Sequence, residues 1–501
     1  MAINQVMRGN RDLRMKNFIW WHSHFGSFQP SYPAVGARCL GYCFSALLVS
    51  ALTWSGQAQL PGGQTPAAHA QSGPVYYVSQ TSGNDDNNGT SPETAWQTVA
   101  RVNRTRFSPG DTVLFQSGGQ WNDELKIESA GNEAQPLKFA SYGDGPAPVL
   151  RQVVVQGDYV VIQNFTIDHQ KMDDEAVTVK AKFVTLRNLE IRNGTGDGIG
   201  ARDADGLLID ACHIHHFLSG SFAKQQDAHG IEAVDVQGLT VKNTEIHHVS
   251  GDSFQADPAR GPNVSREILI EDSHFWTGPL QEDFNEWKAG EIPGENAIDT
   301  KVALDGWQDL PRSTLTVRNL VAHGWVDDGS NERRAVFHLK EKINAVFDGV
   351  TVYDAQIAFR ITGAYGNANV TLKNGLIYDV ANAIRVEEDL KDLKVYNTTF
   401  GYRIDKPLHV AVGGDGNIAS WEFRNNAFVD KNPPAEIAHP SNKMAAGADF
   451  VNTEGRDYQL KVGSALIDAG VLLADVNSDR NGTPRPQAAA FDVGAYEFTS
   501  P

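Results

Sequence analysis

The stretch VIQNFTI, Val161–Ile167, decides the fold because close copies of it recur along the chain. TLRNLEI follows at Thr185–Ile191 and TVKNTEI at Thr240–Ile246. Each copy alternates apolar and polar residues, the period of a β-strand, around a residue type that favours turns. The anchor residues of the full set are Asn164, Asn188, Ala211, Asn243, Asp272, Asn319, Gly349, Asn374, Asn397 and Asn425.

The spacing of these anchors predicts the architecture. Successive anchors are 23 to 47 residues apart, so a coil of fixed size carries loops of different length. Short strands that each stack on the equivalent strand one coil away, ~4.8 Å distant, form a parallel β-helix. A propeller or sandwich would instead need hairpins with tight turns. We therefore predict an all-β parallel β-helix whose repeated Asn side chains hydrogen-bond between coils.

The chain is expected to have four segments. Residues 1–58 combine Arg-rich sequence with a short apolar run and a cleavage site after Ala58, which is typical of a signal peptide or N-terminal extension. A linker (59–74) precedes the β-helix (75–447), which begins with a cap helix, and a capping segment (448–501) closes it. We expect export to the periplasm or medium without stable membrane insertion, because the apolar run is short for a membrane span; a membrane anchor is the alternative.

The composition limits the kinds of molecule that the protein is expected to bind. The 501 residues carry a formal net charge of −18, which argues against nucleic acid as a partner. Of the 3 cysteines, only Cys212 remains after the predicted signal is removed, so we expect no internal disulfide and a small core side chain there. We expect a monomer that binds an anionic polysaccharide.

Both ends of the predicted helix resemble a known superfamily. The opening YYVSQTSGNDDNNGTS and the ending DVGAYEF are similar to those of secreted, pectate-lyase-like, right-handed parallel β-helix proteins. The resemblance implies a right-handed helix and an extracellular role. It implies no single chemistry, because one fold hosts several activities.

A second strand recurs once per coil and carries charge. We align its copies on the apolar residues Ile199, Ile231, Phe254, Ile298, Phe337, Phe359 and Ile384. The residue after each should point outward, which gives the column Gly200, Glu232, Gln255, Asp299, His338, Arg360 and Arg385. Two residues further on, the same face carries Arg202, Val234, Asp257, Lys301, Lys340, Thr362 and Glu387.

The order of charges along this face suggests a binding site. Acids come first, and Glu232, Asp257, Glu295 and Asp299 together suit Ca²⁺, which prefers several oxygen ligands. Bases follow, and Arg360 and Arg385 suit the carboxylates of successive sugars. The longest insertions flank the Asp299 coil and carry Trp276, Trp287, Trp307 and Trp325, and we expect Trp276 and Trp307 to stack on sugars.

This arrangement favours β-elimination of a uronic acid. Removing the proton α to a carboxylate requires that carboxylate to be neutralised, together with a base and a proton donor. The candidate catalytic residues are Lys301, Lys340, His338 and Asp299. Lys301 can act as a base only if its pKa is lowered, and the like charge of Lys340 would lower it, whereas Asp299 would oppose this.

The segment GENAIDTK, Gly294–Lys301, resembles chondroitinase B and alginate lyase-like β-helix lyases. The resemblance implies that Lys301 is the base, that Glu295 belongs to a calcium-holding acidic segment, and that Lys340 assists where those enzymes have Arg. We therefore predict a polysaccharide lyase with a calcium cofactor. The identity of the polysaccharide stays open.

Other interpretations remain open at this point. Asp299 and Lys301 could form a structural salt bridge. The protein could be a glycoside hydrolase that uses two carboxylates from Asp257, Glu295 and Asp299, a C5-epimerase, or a non-catalytic polysaccharide-binding or envelope protein. For the histidines, we expect a stack through His215, His247, Trp276, His323, Tyr353 and Tyr378 rather than a zinc site, since no HExxH motif occurs.

Overall fold

A computed structural model describes residues 73–257, 264–301, 311–327, 334–340, 342–362, 368–388, 390, 392–411 and 418–500. All described residues belong to one compact unit, Ala68–Pro501. The predicted signal segment (1–58) and all but the end of the predicted linker (59–74) lie outside the described residues. Within the described ranges, no helix has the length and apolar character needed to cross a membrane.

Parallel strands dominate the described part of the chain, where 33 of them join one hydrogen-bonded array with three faces, called sheets one, two and three. Sheet one contains β1 (Val75–Val78), β2 (Thr112–Gln116), β4 (Leu137–Tyr142), β10 (Leu208–Asp210), β15 (Thr240–Lys242), β18 (Ile268–Glu271), β21 (Ser313–Arg318), β24 (Ile343–Asp348), β27 (Asn369–Lys373), β30 (Asp392–Tyr396) and β33 (Glu422–Arg424). The long strands β6 (Val160–Asp168) and β8 (Thr185–Gly194) run through sheets one and two.

Sheet two continues with β11 (His213–Phe217), β16 (Glu245–Val249), β19 (His274–Trp276), β22 (Val321–His323), β25 (Thr351–Tyr353), β28 (Leu376–Ile377), β31 (Thr399–Phe400), β34 (Ala427–Val429) and β35 (Lys443–Ala445). Sheet three contains β3 (Gln120–Ile127), β5 (Val149–Val155), β7 (Val177–Val179), β9 (Ile199–Arg202), β14 (Ile231–Val234), β17 (Phe254–Asp257), β20 (Asn296–Thr300), β23 (Ala335–Leu339), β26 (Ala355–Ile361), β29 (Val380–Val386) and β32 (Ile404–Val410). The prediction of an all-β, parallel β-helix is confirmed.

The anchor of each repeat makes the turn between sheets one and two. All ten anchors have a left-handed backbone, with φ between 46° and 72°. Asn, Asp and Gly adopt this conformation more readily than other residues, which explains why the repeats carry them. Side chains link the turns: Asn188 Nδ2 donates to Asn164 Oδ1 at 2.8 Å, and Asn374 Nδ2 donates to Asp348 Oδ1 at 2.8 Å. The predicted hydrogen bonds between coils are confirmed at these positions.

Apolar side chains from all three sheets fill the inside of the coils. Phe337 on β23 illustrates this packing, because its ring centroid lies 4.8 Å from that of Phe347 and 4.8 Å from that of Phe359. All three rings are buried. Burying one such side chain contributes roughly 1.5–3 kcal/mol, so the stacked interior is the main source of stability.

The N-terminal end is closed by helical turns. A 3₁₀ turn, Pro92–Thr94, precedes α1 (Val99–Asn103), whose first turn is capped by the side chain of Thr98. Trp96, between them, is 1% exposed. The predicted cap helix is confirmed, although it is only five residues long.

The C-terminal end is closed by loops and an antiparallel pair, β36 (Phe450–Asn452) and β37 (Asp457–Leu460). Short 3₁₀ turns lie at Ile418–Ser420, Ala435–Ile437 and Gly447–Asp449. A buried ion pair, Arg485 to Glu497 at 2.5 Å, ties the final residues together. One further antiparallel pair, β12 (Ser219–Ser221) and β13 (Lys224–Gln226), extends from the middle of the helix.

Candidate functional site

The strand register of sheet three brings the predicted column together. Phe254 pairs with Ile298, Ile298 with Phe337, and Phe337 with Phe359. Asp299 therefore lies beside Gln255 on one coil and beside His338 on the other. The alignment made from the sequence is confirmed along Gly200, Glu232, Gln255, Asp299, His338, Arg360 and Arg385. The pairing adds His409, beside Arg385, which the sequence analysis missed.

Asp299 is the centre of a group of basic side chains. Its Oδ2 lies 2.7 Å from the Nζ of Lys301, on the same coil, and 2.8 Å from the Nζ of Lys340, on the next coil. Its Oδ1 faces His338 Nδ1 at 3.6 Å. We call Asp299, Lys301, His338 and Lys340 the Asp299 cluster. It contains all four predicted catalytic residues.

Burial differs sharply within the Asp299 cluster. The Asp299 side chain is 2% exposed, whereas those of Lys301 and Lys340 are 29% and 20% exposed. The cations can therefore reach a ligand, and the carboxylate beneath them cannot. Burial alone would raise the pKa of Asp299, but the charges of Lys340, His338 and Lys301 outweigh it and lower that pKa. Asp299 is an ionised, enclosed group that holds its neighbours in place.

Lys301 is an ammonium in this arrangement. Burial tends to lower its pKa, but the carboxylates of Asp252 and Asp299 outweigh burial and raise it. The expectation that Lys340 would lower the pKa of Lys301 enough to make it a base is therefore wrong. The physical reason is that two carboxylates, those of Asp252 and Asp299, lie beside Lys301, and their negative charge outweighs the like charge of Lys340.

His338 is the neutral member of the cluster. Burial lowers its pKa to about 3, and the adjacent Asp299 opposes that shift only in part. Its side chain keeps 12% exposure, and Nε2 lies 3.4 Å from Thr362 Oγ1. A neutral imidazole can accept a proton, so His338 is the group here with the chemistry of a base.

Asp252 is a partner that the sequence analysis missed. It is fully buried, accepts a hydrogen bond on Oδ1 from Asn296 Nδ2 at 2.7 Å, and places Oδ2 3.8 Å from Lys301 Nζ. Burial and the charge of Asp299 raise its pKa to about 7. The sequence signal for Asp252 was its position. It lies two residues before Phe254, as Asn296 lies two residues before the paired Ile298.

The predicted calcium ligands are not assembled into a site. Glu232 binds Arg202 at 2.5 Å, and Asp299 is taken up by two lysines. Asp257 lies at the end of β17, and Glu295 immediately precedes β20. Among the described residues, no set of three potential ligand atoms within 4.8 Å includes any of these four acids. The donor set does not fit a calcium ion, and no step below uses one.

The two predicted substrate arginines share one acid. Arg360 Nη2 lies 2.9 Å from Glu387 Oε2, and Arg385 Nε lies 2.8 Å from Glu387 Oε1. Burial would raise the pKa of Glu387, but hydrogen bonds and charge from both arginines lower it. Lys301 is flanked by the carboxylates of both Asp252 and Asp299. On the following coils, Lys340, Arg360 and Arg385 accompany the carboxylate of Glu387. Positive charge therefore exceeds negative charge beyond Asp299.

Of the four tryptophans considered for sugar stacking, the three in the described part of the chain are not available on the Asp299 face. Trp276 lies on sheet two, where its ring is flanked by His247 at 4.3 Å and His323 at 6.1 Å, so it does not join the Asp299 face. Trp287 and Trp325 are 0% and 1% exposed and cannot stack on a sugar. Trp307 lies outside the described residues.

The predicted stack on sheet two is confirmed. Ring centroids are 5.1 Å apart from His215 to His247, 4.5 Å from His323 to Tyr353, and 5.2 Å from Tyr353 to Tyr378, with nearly parallel planes. Trp276 lies between His247 and His323. One ring per coil thus extends along this face.

Comparison with known proteins identifies the fold. Residues 152–276 match the model of a family described as right handed beta helix region. The fold is a right-handed parallel β-helix. The likeness to pectate-lyase-like proteins of this fold, inferred from the two ends of the chain, agrees with the match.

Individual relatives include enzymes of more than one class. A segment of 147 residues is 33% identical to a lacto-N-biosidase of Bifidobacterium longum subsp. longum, and the match covers 27% of this chain but only 9% of that relative. A GH136 lacto-N-biosidase from Eubacterium ramulus matches at 13% identity with a TM-score of 0.48, covering 68% of this chain and 66% of that one. A pectate lyase matches at 15% identity with a TM-score of 0.47, covering 86% and 97% of the two chains.

Proposed function

We propose that the protein is an exported polysaccharide lyase that cleaves a uronic-acid-containing polymer by β-elimination at the Asp299 cluster. One observation carries the proposal: a single buried carboxylate holds two ammonium groups and one neutral imidazole together on the outer face of sheet three. Export is supported by the signal-like sequence of residues 1–58.

The three basic groups match the needs of an elimination. The C–H bond α to the uronate carboxylate breaks, its electron pair forms the C=C bond, and the bond to the leaving oxygen breaks with its pair. The proposed base is His338, which takes the proton. Lys340 neutralises the uronate carboxylate, where negative charge develops in the transition state. Lys301, whose ammonium is 29% exposed, supplies the proton to the leaving oxygen.

Asp299 has a positioning role in this proposal. Because its side chain is 2% exposed, it cannot touch substrate, but it fixes both ammonium groups and faces Nδ1 of His338. A uronate bound to Lys340 and Lys301 adds a negative charge beside His338. An added negative charge raises the pKa of an imidazole, so substrate binding itself would strengthen the base.

The cationic surplus supports an acidic substrate. Lys340, Arg360 and Arg385 lie on three successive coils of sheet three, and adjacent coils are ~4.8 Å apart. A polymer running along the helix axis could place carboxylates near each of them. Calcium stays a prediction that this geometry does not support.

Glycoside hydrolysis is the second candidate, and two observations favour it. Over 147 residues this chain is 33% identical to part of a protein named as a lacto-N-biosidase. Glu295 is partly exposed, and burial together with the charge of Asp227 raises its pKa, as a general acid requires. The second carboxylate of such a hydrolase would be Asp257, which is partly exposed, because Asp252 and Asp299 are both enclosed.

A product assay distinguishes the two candidates. The full chain is incubated with alginate, pectate, glucuronan, glycosaminoglycans and bacterial exopolysaccharides, and both unsaturated uronate absorbance and new reducing ends are measured. Elimination gives both signals in equal amounts. New reducing ends without unsaturated uronate would contradict the lyase and support the hydrolase.

A further inference from the structure

A cluster of histidines and carboxylates on sheet two lies outside the Asp299 cluster and has no role in the reaction proposed above. The pairing of β8, β11 and β16 puts Glu190, His213 and Glu245 side by side on three successive coils. In the adjacent row, His215 of β11 pairs with His247 of β16. Two carboxylates and three imidazoles therefore project from one small patch.

The ligand atoms of this patch converge. His213 Nε2 lies 2.8 Å from His247 Nε2. One ring nitrogen of each of these two histidines and one carboxylate oxygen of Glu245 all lie within 4.8 Å of one another. Ligands of a tetrahedral zinc ion, with bonds of about 2.0–2.1 Å, are separated by roughly 3.3 Å. The three atoms are thus spaced closely enough to share one ion after small side-chain adjustments.

Neighbouring groups orient these ligands as outer-shell partners do in metal sites. His247 Nδ1 lies 2.6 Å from His248 Nδ1, so the other ring nitrogen, Nε2, is the one turned toward His213. The indole N–H of Trp276 donates to Glu245 Oε1 at 2.7 Å. Such second contacts fix the tautomer and direction of metal ligands.

Glu190 is the alternative carboxylate, and its contacts argue against it. With His213 and His215 it forms a second group of three potential ligands that shares His213. However, its two oxygens are occupied by Arg192 at 2.8 Å and by Thr166 at 3.1 Å. Among the contacts of the described residues, Glu245 pairs with no Lys or Arg; His274 Nδ1 lies 3.8 Å from its Oε1, and the Glu245 side chain is 42% exposed.

We propose that His213, Glu245 and His247 bind one divalent late first-row transition-metal ion that links two adjacent coils. Two imidazoles and one carboxylate suit Zn²⁺, Ni²⁺ or Cu²⁺, and the exposure of Glu245 leaves room for water as a further ligand. The competing explanation is a metal-free hydrogen bond between the two imidazoles within the ring stack. This proposal does not depend on the lyase function.

Zn²⁺ binding to the full chain tests the proposal. The protein is stripped with a chelator, dialysed, and titrated with Zn²⁺ while bound metal is counted, and Co²⁺ is added separately to observe its visible absorption. Three variants, His213→Gln, His247→Gln and Glu245→Gln, each remove one ligand. Because Glu245 is at the surface, its variant tests the site even if a histidine variant fails to fold.

The matched control is His323→Gln. His323 Nε2 makes a similar imidazole contact, 3.0 Å from His274 Nε2, but belongs to no group of three potential ligands among the described residues. We expect one site whose affinity falls at least about tenfold in each ligand variant, or about 1.4 kcal/mol, and is unchanged in the control. No Zn²⁺ bound by the unaltered chain, equal affinity in all variants, or an equal loss in His323→Gln would each overturn the proposal.

Discussion

Asp299 Oδ2 lies 2.8 Å from the Nζ of Lys340, which is supplied by the next coil of the β-helix. The same oxygen lies 2.7 Å from Lys301 Nζ. Two like charges therefore depend on one buried carboxylate to stay together. Lys340 follows Asp299 by 41 residues in sequence, so only the stacking of strands from successive coils brings the two side chains together.

Replacing Asp299 with Asn should test this dependence. Asn keeps the shape but removes the charge, so the two ammonium groups repel each other and lose charge-assisted hydrogen bonds. We expect a loss of roughly 1–3 kcal/mol in the free energy of unfolding and little activity. Urea denaturation gives the first quantity.

Asp283→Asn is the matched control for that change. Asp283 also pairs with a lysine, Lys288 at 3.0 Å, but both side chains are 59% exposed. We expect no measurable change in stability, since exposed ion pairs contribute little. Equal effects of the two substitutions would mean that the Asp299 cluster is an ordinary surface salt bridge.

Asp252→Asn should change how stability depends on pH. The pKa of Asp252 is raised from 3.8 to about 7, so the folded protein binds a proton that the unfolded chain has already lost in this interval. Stability therefore falls as pH rises through that interval. Asn cannot ionise, so the variant should lose less stability between pH 4 and pH 7 than the unaltered protein. Urea denaturation at both pH values measures this change. If the variant and the unaltered protein lose the same free energy of unfolding between pH 4 and pH 7, the raised pKa is contradicted.

Much of the fold could be predicted because each coil repeats the same physical requirement. The left-handed turn at Asn164 and Asn188 selects Asn, and the alternation around it selects a strand, so both signals are local. The register of Ile298 on Phe337 followed from aligning those local signals. The ion pair between Glu232 and Arg202 could not be predicted from these local signals, because it depends on how side chains from two coils are directed.

The parts of the site that were missed depend on distant contacts. Asp252 becomes important only because Lys301, on the next coil, reaches it. The predicted stacking role of Trp276 failed because its partners on sheet two, including His247, already flank the ring. Whether Lys301 is a base or a cation depends on a balance of charges that no spacing rule contains.

The turn residues themselves make a stability prediction. Asn374 has φ of 55°, is 2% exposed, and donates to Asp348 Oδ1 at 2.8 Å and to the Ser478 carbonyl at 3.1 Å. Asn374→Ala loses both bonds and strains the left-handed turn, so we expect a loss of roughly 2–4 kcal/mol.

Asn188→Ala provides the comparison for Asn374→Ala. Asn188 has a similar φ of 50° but makes a more exposed bond, to Asn164 Oδ1. We expect Asn188→Ala to lower the free energy of unfolding about half as much as Asn374→Ala. Both changes strain the backbone, but only Asn374→Ala removes buried hydrogen bonds. Equal losses in urea denaturation would show that strain alone, rather than bonding between coils, sets the effect.

The most direct test of the proposed reaction is unsaturated uronate formation by the unaltered protein, His338→Gln and His409→Gln on the polymer found in the substrate screen. His338 and His409 lie on the same outward column of sheet three, three coils apart, but only His338 faces Asp299. Loss of a general base lowers turnover about 10²–10⁴-fold. We predict that fall for His338→Gln and an unchanged rate for His409→Gln. An unchanged rate for His338→Gln, or cleavage that yields no unsaturated uronate, would contradict the account.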